Sequence, residues 1–193
     1  MARLIYEKSE ILPLVAEVFR ALGYEGASFS QITKLTGISK GSLFHVFPGG
    51  KEQMAAEILA GIDEWFVKNV YEPLETGEPE AALGHMWTET DIYFRSGGRI
   101  CLVGAFALDA TRDQFRAAIQ TYFTRWVHAL AGCLVRAGAD ATEASAFAEQ
   151  AVLSIQGGLL LARAINDETV FARTLKRLTA SAKALLACQN PRR

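Results

Sequence analysis

Apolar residues recur every three or four positions along most of the chain, which predicts a protein built from α-helices. The first such pattern runs from Ile11 to Leu22 and is followed by Gly23, a residue that suits a left-handed helix end. We expect Pro13 to lie in the first turn of this helix, because a proline deeper in a helix removes a hydrogen bond.

Two short helices are predicted next. Ser28 is placed to cap a helix that Gly37 ends, and Ser39 is placed to cap another helix that runs to Val46. Two short helices joined by a tight glycine turn form a helix-turn-helix unit.

The rest of the chain continues the helical pattern. A longer helix is predicted to begin at Lys51, and its residues 52–70, about 30 Å long, connect a first domain (1–51) to a second domain (52–193). No segment alternates apolar and polar residues as a strand between hairpin turns does. We therefore predict an all-α fold with an N-terminal three-helix helix-turn-helix domain, a larger helical domain and about nine helices in all.

Charge and hydropathy narrow the class of protein. No apolar stretch reaches the roughly 20 residues of a membrane span, and the N-terminus lacks the pattern of a signal peptide, so we expect a cytoplasmic protein. The net charge of −1 argues against a protein that coats nucleic acid. Residues 1–51 hold six Lys and Arg against four Glu, a charge of +2, which leaves −3 for the remainder. Any DNA contact is therefore expected at the N-terminal end.

Residues with catalytic or metal-binding chemistry form no recognisable set. Cys101, Cys133 and Cys188 lack the spacing of a metal site, and a reducing compartment would keep them as thiols. The sequence shows no nucleophile–base–acid set, no paired carboxylates on one inward face and no phosphate-binding loop. We expect no cofactor, no metal and no enzymatic activity.

One ordered set of residues covers about 45 positions at the start of the chain. Its members are Ile11-Leu12, Phe19, Gly23-Tyr24, Ser28, Ile32-Thr33, the run from Thr36 to Pro48, and Lys51-Glu52. This set resembles the DNA-binding domain of the TetR/AcrR family of transcriptional repressors. The resemblance implies a homodimer that binds palindromic double-stranded operator DNA and releases it when a small effector binds the larger domain.

The third helix is expected to enter the major groove of DNA. Short side chains at its start let its backbone approach the bases, and hydroxyl groups at helix starts suit phosphate oxygens. The residues expected to contact DNA are Ser28, Ser39, Lys40, Gly41, Ser42, Phe44, His45 and Lys51. The resemblance also implies that Leu43 and Phe47 stay in the domain core.

Two features depart from the family pattern. Tyrosines are common where this chain has Phe44 and Val46, so hydroxyls often used on phosphates are missing, although Phe44 can still pack against a thymine methyl group. The sequence Pro48-Gly49-Gly50 is one residue longer than the commoner spacing, which we interpret as variation within the family.

Aromatic and polar residues at helical spacing are candidates for a cavity in the second domain. They are Trp65, Phe66, His85, Trp87, Tyr93, Phe94, Phe106, Tyr122, Trp126 and Gln156. Few formal charges lie among them, which favours an apolar or aromatic effector. Ordinary core packing is the alternative for each of them.

Cys101 offers a different mode of regulation. It lies in a Gly-x-Cys-Leu-x-Gly-like segment found in some family members, and the nearby Arg99 would stabilise a thiolate. The hypothesis is a thiol-based sensor of electrophiles or oxidants, and a buried, inert cysteine is the alternative. A ligand-binding module that has lost specific operator binding is a further alternative for the whole chain.

The resemblance implies that the last two helices form the dimer interface as a four-helix bundle. Four small residues would let the helices approach closely, namely Ala151, Ser154, Gly157 and Gly158, and Leu160 and Leu161 would fill the seam between them. Such a dimer places two recognition helices about 34–36 Å apart. An effector that tilts the fourth helix would change that spacing and abolish binding.

Overall fold

The computed structural model describes residues 7–189, with side chains up to residue 187, and its regular structure is helical. The helices are α1 (Lys8–Gly26), α2 (Phe29–Thr36), α3 (Lys40–Val46), α4 (Gly50–Phe66), α5 (Glu72–Thr76), α6 (Pro79–Tyr93), α7 (Leu102–Ala107), α8 (Arg116–Arg136), α9 (Ala141–Ile165) and α10 (Thr169–Gln189). Because α4 continues through a π turn (Val67–Tyr71) into α5, the described residues form nine helices and no strand, and the all-α prediction is confirmed. The side chain of Cys188 lies outside the described part, and so do residues 1–6, on which the expectation of no signal peptide rests.

Helix α1 begins well before Pro13, so the prediction that this proline lies in the first turn was wrong. The backbone N–H of Glu7 donates to Oε2 of Glu10 at 2.9 Å, which fixes the helix start one turn earlier than expected. Pro13 removes the hydrogen bond to the carbonyl of Ser9. Both Ser9 and Pro13 are exposed, so water can satisfy that carbonyl and the helix continues.

The predicted caps of the two short helices are confirmed. Ser28 Oγ accepts a hydrogen bond from the N–H of Gln31 at 3.3 Å, and Ser39 Oγ accepts from the N–H of Ser42 at 3.1 Å. Gly37 ends α2 in the left-handed conformation with φ +74°. The turn between α2 and α3 is therefore fixed by local chemistry at both ends.

The first of two compact units comprises the described residues up to Asp63 together with residues 102–119. An aromatic cluster lies in its core. The Tyr24 ring stacks on Phe19 with centroids 5.8 Å apart and meets the edges of Phe106 and Phe115 at 5.8 and 5.7 Å. Phe106, which was expected to line an effector cavity, is a core residue of this unit and supports the helix-turn-helix region.

The second unit comprises residues 64–101 and the described residues from Gln120 onward. Helices α9 and α10 pack along each other, and α10 also packs against the turn that follows α6. A side chain at Gly97 would place its Cβ 2.8 Å from Cβ of Phe171, and the φ of Gly97 is +103°. Only glycine fits this turn against α10.

The end of α5 is held by the side chain of Arg136 on α8. Nη2 of Arg136 donates to the carbonyl oxygens of Leu74 and Gly77 at 2.6 and 3.3 Å, which satisfies two groups left free at the end of α5. Among the described residues no helix is long and apolar enough to cross a membrane.

Candidate nucleic-acid interface

One face of α3 is open to solvent. Lys40, Gly41, Phe44 and His45 are exposed, and their spacing places them on the same side of the helix. The opposite side is anchored by Leu43, which is fully buried. Phe47 is also fully buried just beyond the helix, so the core positions implied by the resemblance are confirmed.

Two of the three predicted serines, Ser28 and Ser39, act first as caps, whereas Ser42 lies within α3. Ser28 and Ser39 are exposed and Ser42 is half-buried. The hydroxyls of Ser39 and Ser42 lie 2.9 Å apart and share a hydrogen bond. A hydroxyl that accepts from a backbone N–H keeps its own proton, so Ser28 can cap α2 and still donate to a phosphate oxygen.

Phe44 is stacked on a residue that sequence reasoning missed. The rings of Phe29 and Phe44 lie 4.4 Å apart with an angle of 9° between their planes. Phe29 opens α2 and Phe44 lies in α3, and no periodic rule connects residues of two different helices. Nζ of Lys40 lies 5.8 Å from the centre of the Phe44 ring.

Lys51 is engaged within the first unit and is largely shielded from solvent. Its Nζ donates to the carbonyl oxygen of Tyr24 at 3.0 Å and lies 3.5 Å from Oε2 of Glu25. The same ammonium group lies 4.1 Å from the centre of the Tyr24 ring. Burial raises the pKa of the Tyr24 hydroxyl, which opposes its ionisation beneath the cation. Lys51 therefore joins the start of α4 to the end of α1.

Most of the predicted effector residues come together in the second unit. The ring of Phe66 contacts six other rings, with centroid distances from 4.7 to 6.3 Å. Those rings belong to Trp65, Tyr71, Tyr93, Phe94, Tyr122 and Trp126. This set, with Phe66, is the aromatic cluster of the second unit.

Several buried polar atoms of the second unit have no hydrogen-bond partner in the structure. Three of them are Oγ1 of Thr90 on α6, Nε1 of Trp126 on α8 and Nε2 of Gln156 on α9. An unpaired buried polar group costs about 1–3 kcal/mol, so such groups normally bond to water or a ligand. Gln156 and Trp126 were predicted as effector residues, whereas Thr90 was missed because a buried threonine in a helix gives no sequence signal.

His85 and Trp87, both on α6, are not part of this aromatic cluster. His85 is exposed, and Trp87 lines a groove of about 840 Å³. The groove lies between α6, α8 and α10, and its lining also includes Leu83, Lys183 and Leu186. None of the rings that contact Phe66 is among its lining residues.

Cys101 is buried, with 7 % of its surface exposed. Its Sγ lies 3.9 Å from the hydroxyl of Tyr122, and burial raises the pKa of that hydroxyl well above its ordinary value. Arg99 donates to the carbonyl of Tyr93 at 3.1 Å. Burial also raises the pKa of the Cys133 thiol, which keeps it protonated. Among the described residues no group of three or more ligating side chains is placed to hold a metal ion.

The residues expected at a dimer interface divide between two environments. Ala151 and Gly158 are buried within the chain, and a Cβ at Gly158 would lie 3.2 Å from Oγ1 of Thr174 on α10. The small size of Gly158 therefore serves the packing of α9 against α10. Gly157 and Leu161 are exposed, and Ser154 is half-buried.

An apolar stripe runs along the exposed side of α9. It contains the exposed Leu153, Gly157, Leu160 and Leu161, which follow helical spacing. Leu153 was missed in the predicted interface set, although its i, i+7 spacing to the predicted Leu160 signals a shared face. This set is named the α9 stripe below.

Family comparisons match two parts of the chain. Residues 11–58 match the family model described as bacterial regulatory proteins, tetR family. Residues 80–177 match the C-terminal domain model of LmrA/YxaF-like transcriptional regulators.

Relatives of similar length are found among curated proteins. The HTH-type transcriptional regulator LmrA of Bacillus subtilis (strain 168) is 26 % identical over 167 residues, which cover 84 % of this chain and 89 % of that protein. YxaF, an uncharacterized HTH-type transcriptional regulator of the same strain, is 26 % identical over 167 residues, covering 84 % and 87 %.

Solved structures share the fold. A TetR transcriptional regulator from Legionella pneumophila superposes with a TM-score of 0.77 at 22 % identity, covering 93 % of this chain and 99 % of that one. A cysteine mutant of the TetR family regulator CifR, complexed with 26-bp double-strand operator DNA, has a TM-score of 0.67 at 22 % identity and covers 96 % and 98 %.

Proposed function

Because the chain belongs to the TetR family of transcriptional regulators, we propose that it represses transcription as a homodimer on a palindromic operator and leaves it when a small molecule binds the larger domain. The observation that carries the proposal is the exposed face of α3, the helix that follows the capped turn after α2. This is the arrangement in which a recognition helix enters the major groove. The protein would act in the cytoplasm, where operator DNA lies.

The DNA contacts divide by chemistry. Lys40 and His45 would bind phosphates or base edges from the exposed face, and Gly41 would let the backbone of α3 approach the bases. The hydroxyls of Ser28, Ser39 and Ser42 would donate to phosphate oxygens. Lys51 is committed to Tyr24 and Glu25 in the free protein, so its contribution to binding would come through the position of α4.

Dimerisation would use the α9 stripe. Its leucines are large and solvent-exposed in one chain, and exposed apolar stripes on helices mark association surfaces. A two-fold axis through this face would make each stripe contact its own copy. Such symmetry matches a palindromic operator, because each half-site then meets an identical recognition helix.

The effector would bind in the second unit against the aromatic cluster. The unpaired atoms of Thr90, Trp126 and Gln156 supply hydrogen-bond groups in an otherwise apolar interior, which favours an aromatic or apolar molecule that carries a hydrogen-bond acceptor. Phe66 is the last residue of α4 and lies in this cluster. A ligand that displaces Phe66 would therefore move the helix that follows the recognition helix.

A gel-shift titration tests operator binding. The protein is titrated against DNA upstream of its own gene and of any divergent neighbour, with unrelated DNA as competitor. We expect a specific shift at nanomolar protein that weakens steeply with salt and is reduced by Lys40→Ala and His45→Ala. Lys176→Ala, which removes an exposed lysine of α10, is the matched control and should bind normally.

The opposite result is also informative. If neither these fragments nor a genome-wide selection yields DNA bound more tightly than unrelated DNA, the chain is a ligand-binding module without an operator. For the effector, aromatic compounds are screened for release of the bound fragment and for quenching of tryptophan fluorescence. Trp126→Phe should weaken release by the active compound, because it removes the unpaired indole N–H.

A further inference from the structure

The stacked pair of Phe29 and Phe44 lies where α3 would meet DNA, and operator binding alone does not account for it. Phe44 is 42 % exposed, although a phenylalanine gains nothing from contact with water. Its ring is parallel to that of Phe29 to within 9° at a centroid distance of 4.4 Å. The pair presents a flat apolar surface beside Lys40 on the open face of α3.

The position of Phe29 is itself fixed by the backbone. A Cβ at Gly50 would lie 3.7 Å from Cε2 and Cζ of Phe29, so the ring lies near the first residue of α4 with room for no more than an ordinary contact between them. Gly50 has a φ of +69° and its N–H donates to the carbonyl of Phe47 at 2.9 Å. Phe29 thus lies between this turn and the Phe44 ring on which it stacks.

The chemistry of the exposed Phe44 ring limits which groups of DNA it can recognise. Phe44 has no hydroxyl, so it cannot bond to phosphate oxygens or to donor and acceptor groups of the bases. In the major groove the apolar group on a base edge is the C5-methyl of thymine. Lys40, whose Nζ lies 5.8 Å from the ring centre, places a cation beside this surface for a neighbouring phosphate or guanine.

We propose that Phe44 reads a thymine methyl group in each operator half-site and that Phe29 is a positioning residue which touches no base. The proposal rests on the operator binding proposed above. It assigns a base to one position of the half-site and a role to a residue outside the recognition helix. The extra glycine of the Pro48-Gly49-Gly50 sequence then belongs to the same arrangement, because Gly50 lies near the Phe29 ring.

The test starts from DNA selected by the full-length protein itself. Duplexes are enriched from a random pool, and each thymine of the enriched site is then replaced singly by deoxyuridine, which removes only the methyl group. We expect one thymine in each half-site at which uracil weakens binding about fourfold, the effect of losing one buried methyl-sized group. Replacement in both half-sites should weaken binding about 15-fold.

Variants separate reading from folding. In Phe44→Ala the thymine and uracil duplexes should bind with equal affinity. Phe29→Leu keeps an apolar side chain against Gly50 but removes the flat ring, and we expect its thymine preference to fall below about twofold. A merely structural role of Phe29 would instead lower the affinity for both duplexes equally. Leu35→Ala, at a residue of α2 that is 56 % exposed, is the matched control and should keep the full preference.

Two results overturn the inference in distinguishable ways. If the pool yields no specific duplex, operator binding fails and the reading of thymine fails with it. If a specific duplex is enriched but is indifferent to uracil at every thymine, operator binding stands and the role of Phe44 is wrong. Melting curves of each variant, followed by circular dichroism, establish that the proteins compared are folded.

Discussion

The ammonium group of Lys51 lies 4.1 Å from the centre of the Tyr24 ring and donates a 3.0 Å hydrogen bond to the Tyr24 carbonyl oxygen. The two residues are far apart in sequence, and their contact joins the first turn of α4 to the end of α1. Tyr24 also packs on Phe106 and Phe115 through its ring. A single residue thus links the lysine to the core of the first unit.

Loss of this contact should lower the stability of the folded protein, and any effect on DNA binding should follow from that loss. In Lys51→Met the apolar stem remains, but the cation–ring contact and the charged hydrogen bond are lost, so we expect the free energy of unfolding to fall by about 1–2 kcal/mol. Urea unfolding at fixed protein concentration measures the change. Lys176→Met is the control, and equal stability of the two variants would contradict the structural role of Lys51.

Gly50 should tolerate no side chain. Its φ of +69° is unfavourable for any residue with a Cβ, so Gly50→Ala should lower stability by about 1–2 kcal/mol. Gly61→Ala is a matched substitution in the same helix, at an exposed position where a Cβ meets no atom within 4 Å. It should instead raise stability by about 0.5–1 kcal/mol. Thermal melts of both variants decide, and a stabilised Gly50→Ala protein would refute the assigned backbone strain.

The Glu75–Arg125 ion pair makes part of the stability of the second unit dependent on pH. Both carboxylate oxygens accept hydrogen bonds of 2.9 Å from the guanidinium group, which lowers the pKa of Glu75 below its ordinary 4.5. Because the folded pKa is the lower one, the stabilisation is complete above 4.5 and is lost as the pH falls through the folded value. In Glu75→Gln, stability at pH 7 should fall by about 0.5–1 kcal/mol, since the pair is partly exposed.

The matching measurement compares unfolding of wild type and Glu75→Gln at pH 7 and at pH 3. The difference between the two proteins should shrink at pH 3, which lies below the ordinary pKa of 4.5, because the unfolded wild-type chain then binds a proton at Glu75 that the ion pair opposes. Glu80→Gln, which neutralises an exposed glutamate of α6, is the control. A difference that is the same at both pH values would exclude ionic pairing as its source.

Leu160 of the α9 stripe should decide the oligomeric state. It is 67 % exposed in a single chain, so Leu160→Glu costs little in the monomer but brings two buried carboxylates together across a two-fold axis. We expect the dimer dissociation constant to rise at least about 100-fold, seen by light scattering during gel filtration. Leu108→Glu, at a residue that is 88 % exposed, should leave the dimer intact. If Leu160→Glu keeps the mass of the wild-type dimer, the dimer interface does not include the α9 stripe.

Features written in a few consecutive residues could be predicted from the sequence. Ser28, Gly37 and Ser39 determine the turn of the helix-turn-helix because each acts on backbone groups within three or four positions. Pro13 shows the limit of such rules. Its effect depends on whether the carbonyl of Ser9 reaches water, which the local pattern does not reveal.

Features that depend on two distant segments could not be predicted. The sequence suggested Lys51 as a DNA contact because lysine suits phosphate, but its partner Tyr24 lies at the end of another helix. Gly158 suggested close approach of two helices, and the structure shows that the helix it approaches is α10 of its own chain. In each case the residue type indicated the kind of contact, but the sequence did not reveal which residue would be the partner.

The π turn between α4 and α5 adds one residue to a single uninterrupted helical run. Each residue of an α-helix advances the side-chain direction by about 100°, and a π turn accommodates one residue more than an α turn does. Deletion of one residue from 67–71 would therefore return the run to α geometry and leave the later side chains on their present faces, with Leu74 still buried and Glu75 still facing Arg125. Deletion of one residue from the α-helical part before the π turn would instead turn every later side chain by about 100°. The extra residue of the π turn thus keeps the two halves of this helix in register with their separate partners.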